Sequence, residues 1–73
     1  SMKNDEELVA SYKEHLAIKQ HLDDIEGELY LLDLISAHYA KIGDLKAAKR
    51  YQSEVLRVKD GLEYKKAMKE EVS

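Results

Sequence analysis

Along the first forty residues a stripe recurs at steps of three and four: Leu8, Tyr12, His15, Ile18, Leu22, Ile25, Leu29, Leu32, Ser36 and Tyr39. Such spacing puts largely apolar side chains on one side of an α-helix. Leu8, His15, Leu22, Leu29 and Ser36 lie seven apart, as do Ile18, Ile25, Leu32 and Tyr39, so the stripe keeps coiled-coil register straight through Gly27. A glycine inside a helix costs about 1 kcal/mol relative to alanine, which weakens a helix held by tertiary contacts without breaking it. No good N-cap follows Gly27. The pattern therefore predicts one long helix over about 5–42, capped by Asn4 or Asp5 with Glu6 and Glu7 in its first turn. The alternative is a break near 23–27 and a three-helix bundle.

Gly43 and Asp44 carry the chemistry of a tight helix-helix connection, with a left-handed glycine closing one helix and an aspartate capping the next. A second helix is predicted over about 45–68, with the stripe Leu45, Ala48, Tyr51, Val55, Val58 and Leu62 and a fraying charged end. Antiparallel pairing from the turn sets Tyr39 near the small Ala48, Ile35 near Tyr51 and Leu32 near Val55. The two helices are unequal, about 57 Å against about 36 Å, so Leu8 to Ile18 has no partner within the hairpin. The segment from Leu29 to Ile35 is apolar nearly all round. Both mismatches predict an all-α antiparallel hairpin that dimerises into a four-helix bundle, with Tyr30, Leu31, Leu34, Leu8 and Tyr12 as partner-binding residues.

Size sharpens that expectation. At 73 residues the chain is one domain, about 2–73, and a domain this small is marginal without help. It has no cysteine, which excludes disulfides and thiolate metal sites as that help. Ser1 before Met2 has the look of a residue left by tag cleavage. No apolar run approaches the roughly 20 residues of a membrane span and no signal-like segment is visible, so the expected location is cytoplasmic. Residues 1–37 carry nine acids against three lysines, and with a whole-chain charge of −3 the remainder is basic by three, as suits two halves that fold together.

Candidate chemistry is sparse. His15, His21 and His38 are the only acid-base or metal candidates, and none stands four residues from another, as a zinc pair on one helical face requires. Asp23 and Asp24 diverge by about 100° on a helix and do not form a metal site. There is no phosphate-binding glycine loop, nucleophile elbow or cysteine nucleophile. The expectation is no enzyme, no metal, no cofactor and no small-molecule substrate. Lys46, Lys49, Arg50 and Arg57, with Ser53, share the face of the second helix opposite Val55, a row that could meet nucleic-acid phosphates.

The run from Leu34 to Tyr51, within residues 32–58, resembles one helix-turn-helix unit of a tetratricopeptide repeat. Tyr39, Gly43, Leu45 and Ala48 stand at spacings similar to that family's tyrosine, glycine, aromatic and alanine positions. Gln52, Val55 and Asp60 depart from it, and no second copy follows at a 34-residue period. The resemblance implies protein binding on a helical face and no catalytic residues. The expected function is thus a non-enzymatic interaction module, an adaptor, subunit or small inhibitory protein of bacterial or phage type, partnered by itself and another protein. The alternative is a small dimeric nucleic-acid-binding regulator using the basic row.

Overall fold

A computed structural model describes the backbone of residues 2–72 and the side chains of residues 3–69. Among these residues three helices form and no strand: α1 (Met2–His21), α2 (Ile25–Lys41) and α3 (Leu45–Val72). The chain is all-α as expected, and the single helix over 5–42 is replaced by the three-helix alternative. The first helix is already under way at Met2, so Asn4 and Asp5 lie within it and do not cap it. At the other end α3 continues to Val72, past the expected stop near Met68.

The break and the predicted turn are the same structure built twice. After α1, the Asp23 N–H donates to Gln20 O (3.2 Å) and the Asp24 N–H to Lys19 O (2.9 Å). After α2, the Gly43 N–H donates to Ala40 O (3.1 Å) and the Asp44 N–H to Tyr39 O (2.9 Å). These are paired Schellman closures, each using one left-handed residue, Asp23 at φ 53° and Gly43 at φ 88°. Each is followed by an aspartate N-cap: Asp24 Oδ1 accepts from Gly27 N (3.0 Å) and Asp44 Oδ1 from Ala47 N (3.1 Å). The long-helix reading failed because the cap precedes Gly27. In α2 this glycine occupies the first turn, its N–H bound by Asp24, and a Cβ there would come within 2.6 Å of Asp24 Oδ2 and 2.8 Å of Lys19 Cδ. Breaking at Asp23 also lets α1 fold back and bury Val9 and Leu16, which a straight helix leaves wet.

The three glycines should accordingly respond differently to alanine. Gly61 faces open space in a regular helix, so Gly61→Ala should raise the urea midpoint, by up to about 1 kcal/mol of stability. Gly43→Ala forces a Cβ into left-handed backbone and should lower stability by about 1–2 kcal/mol. Gly27→Ala should also lower it, although the position is helical, because the new methyl displaces the Asp24 cap. A gain at Gly27 like that at Gly61 would disprove the capped break.

Asp24 also makes this connection sensitive to acid. Its carboxyl is held below the ordinary aspartate value, first by the Gly27 N–H and then by the Lys19 ammonium, which lies 3.3 Å from Oδ2. Since folding lowers the pKa, the contribution is complete above the unfolded value of 3.8 and is lost as pH falls through the lower folded one. Urea midpoints measured between about pH 5 and about pH 2 should fall less steeply for Asp24→Asn, which retains a cap but does not titrate.

α2 is the middle of a flat layer, measuring 52 × 23 × 11 Å, with α1 packed on one side and α3 on the other and no backbone approach between the outer two. The core is one cluster of Leu16, Leu31, Leu32, Ile35 and Val55, against which Tyr12, Leu29, Leu34, Tyr39, Tyr51 and Val58 pack. Between α2 and α3 two contacts fall on either side of the expected Tyr39–Ala48 pairing. The buried Ser36 hydroxyl donates to Ala48 O (3.0 Å), so Ala48 is where the backbones close up, and Tyr39 stacks on Tyr51 with ring centroids 5.7 Å apart.

Candidate interaction surfaces

The stripe that α1 buries is Asp5, Val9, Tyr12, Leu16 and Lys19, each partly or fully covered. The expected stripe of Leu8, His15, Ile18 and Leu22 is turned about 100° from it around the helix and faces solvent, with Leu22 64% exposed. The polar ends of the buried stripe sit at the edges of the contact between α1 and the rest of the chain. Asp5 Oδ1 lies 3.0 Å from the imidazole Nε2 of His38, and Lys19 pairs with Asp24. The His38 contact is too bent to be a hydrogen bond, and no other partner reaches that buried nitrogen. His38 is thus an interhelical residue with its side chain only 9% exposed.

Five residues were expected to bind a partner, and the structure divides them. Tyr30 is 65% exposed and Leu8 is exposed as well. Leu31 is only 6% exposed and belongs to the core, a correction that follows from α1 folding back over that side of α2. Leu34 and Tyr12 pack against the same cluster and are half-buried. What remains open on this face is the outer stripe of α1 and Tyr30. They are joined by a shallow groove lined by His15, Lys19, Asp24, Gly27 and Tyr30.

The opposite face carries a second trough, along which Lys13 is the central residue. Its ammonium sits 5.7 Å from the Tyr39 ring centroid and 5.9 Å from that of Tyr51, a cation over a stacked aromatic pair. The Tyr39 phenol, with Tyr51 behind it, holds the Lys13 pKa above the ordinary lysine value, against the opposing effect of partial burial. Val9 and Ile42 supply apolar walls at one end, and Lys46 and Arg50 edge the other. Lys13 and Val9 are residues that the sequence reading missed. Their signal was a competing stripe at steps of three and four, interrupted by charges that prove to be paired.

The basic row Lys46, Lys49, Arg50 and Arg57 is exposed throughout on α3, as the helical projection required. Arg57 is paired with Glu54 at 3.2 Å, one turn away. Among the described residues no group of three or more His, Cys, Asp or Glu side chains is placed to hold a metal, and no helix is long and apolar enough to cross a membrane. Compared with protein-family models, with curated proteins and with solved structures, the chain gives no match.

Proposed function

We infer that this chain is a non-enzymatic protein-interaction module that associates through the outer stripe of α1. The observation that carries the reading is that Leu8, Ile18 and Leu22 hold helical spacing and stand in water, on a chain whose buried core is small. A regular apolar stripe is satisfied by another helix, and the chain itself offers a self-complementary one, so the occupant is a second copy. The likeness of residues 32–58 to a single tetratricopeptide unit supports the same class, since one such unit does not cover its own faces. Sedimentation equilibrium across concentration should give a dimer for the native sequence and a helical monomer for Ile18→Asp/Leu22→Asp. A native chain that stays monomeric at the highest attainable concentration overturns the reading.

The second reading, nucleic-acid binding, is favoured by one observation: Lys46, Lys49 and Arg50 are exposed in a row, and among the described residues none has a carboxylate within ion-pair distance. Binding to a random oligonucleotide that weakens steeply with salt and vanishes in Lys49→Glu/Arg50→Glu would favour it over the first.

A further inference from the structure

Three features of the monomer find one explanation. The first is the break itself. Asp23 holds a left-handed backbone that side chains other than glycine adopt reluctantly, in a connection of only Leu22, Asp23 and Asp24. Short strained connections invite exchange of the element they hold.

The second is geometric. At about 100° per residue, a continuous helix through the break would carry Asp5, Val9, Leu16, Leu31 and His38 within an arc of about 80°. In the closed chain these same residues join α1 to α2, through the Asp5–His38 contact and the shared cluster of Leu16 and Leu31. A straightened α1–α2 helix therefore presents both halves of that interface on one side. An antiparallel second copy would restore the Asp5–His38 and Leu16–Leu31 contacts between chains.

The third is the unused end of α3. Tyr39 stacks on Tyr51, and Ile25 shares a surface groove with Leu62, so α2 begins level with Leu62. From there α3 runs on to Val72, about 15 Å further, and every residue from 61 to 69 is exposed. A straightened α1 would lie antiparallel along this overhang. The side it would turn to α3 is the one that continues the Ile25, Leu29 and Ser36 row, and that side carries Ile18 and Leu22. The two exposed apolar residues beside the hinge and the unpartnered third of α3 would cover each other.

We propose that the Leu22–Asp24 connection is a hinge through which two copies exchange α1, each opening into a long helix that packs against its own α3 overhang and the partner's opened helix. The second copy is the occupant because only it reproduces the α1–α2 contacts. This proposal rests on the self-association reading above and changes it in one respect: in the opened form Ile18 and Leu22 are covered by the chain's own α3, and the second copy covers the side that carries Val9, Leu16 and Leu31.

Hinge variants separate the two. Asp23→Gly relieves the left-handed residue in the closed chain and weakens the open helix, so with two hinges per dimer the dissociation constant should rise about thirtyfold. Asp24→Ala removes the cap on which the closed chain depends and suits a continuous helix, and should tighten the dimer by a similar factor of about thirty. Asp23→Ala should shift it in the same direction as Asp24→Ala, and covers the case that loss of the cap leaves α2 poorly folded. Mixing differently labelled dimers should show slow subunit exchange, since α1 must undock. Dimers whose dissociation constants are the same for Asp23→Gly, Asp23→Ala and the native chain would overturn the exchange while leaving the self-association reading intact. A native chain and Asp24→Ala that are both helical and monomeric would overturn both.

Discussion

Leu31→Asp should unfold the chain, and circular dichroism should show the helical signal lost at temperatures where the native chain retains it. Leu31 touches the cluster of Leu16, Leu32, Ile35 and Val55 and is almost fully covered. The substitution removes about 2 kcal/mol or more of apolar burial and places a carboxylate among the apolar side chains of the core, at a cost of several kcal/mol unless it takes up a proton. Against a total stability of about 5 kcal/mol, the lower end for natural domains, the sum is decisive. Leu8→Asp is the control. Its side chain is exposed on α1, so that variant should keep its helices. If Leu31→Asp folded as well as Leu8→Asp, the placement of α1 over α2 would be wrong.

Ile35→Ala should produce the next largest loss, about 2–5 kcal/mol, read as a lower urea midpoint. At about 4–8 °C per kcal/mol for a domain of this size, thermal unfolding should move down by on the order of 15 °C. Ile35 is completely inaccessible, the one large side chain among the described residues of which that is true. It lies in the cluster that unites Leu16 of α1 with Val55 of α3, so a cavity there slackens both outer helices together. A flat layer has few atoms available to collapse into such a void, which puts the expected cost above that of shortening a side chain at the rim such as Val58. A loss below about 1 kcal/mol would mean that Ile35 does not join the three helices.

Both effects depend on how α1 lies over α2, and α1 is where the reading of the sequence and the fold diverge most. The heptad stripe from Leu8 to Tyr39 was read as a single seam. In the structure its second half is used, through Leu29, Leu32, Ser36 and Tyr39, and of its first half only Tyr12 packs on the core while Leu8, His15, Ile18 and Leu22 are left outside. Ile18 and Leu22 thereby became a surface, whereas Leu31, expected on the surface, became core. The candidate site was legible in kind, as surplus apolar helix. Its address was legible only in part, because Tyr30 and Leu8 stay open while Leu31, Leu34 and Tyr12 do not.

The sequence by itself determined that the chain is helical, the stop at Gly43-Asp44, the internal face of α3 from Ala48 to Val58, with Leu45 and Leu62 of the expected stripe left exposed, and the outward position of its basic row. Each of these depends on contacts within about four residues: propensity, a left-handed glycine, an aspartate cap, and a period of 3.6. Tertiary structure alone decided whether the chain turned at Asp23-Asp24 and which side of α1 was buried. The same local pattern supports a straight helix with Leu8 and Leu22 in its seam or a folded-back one with Val9 and Leu16 inside. The difference lies in contacts between residues far apart in the chain, Asp5 with His38 and Leu16 with Leu31, and within one chain these form only once α1 has folded back.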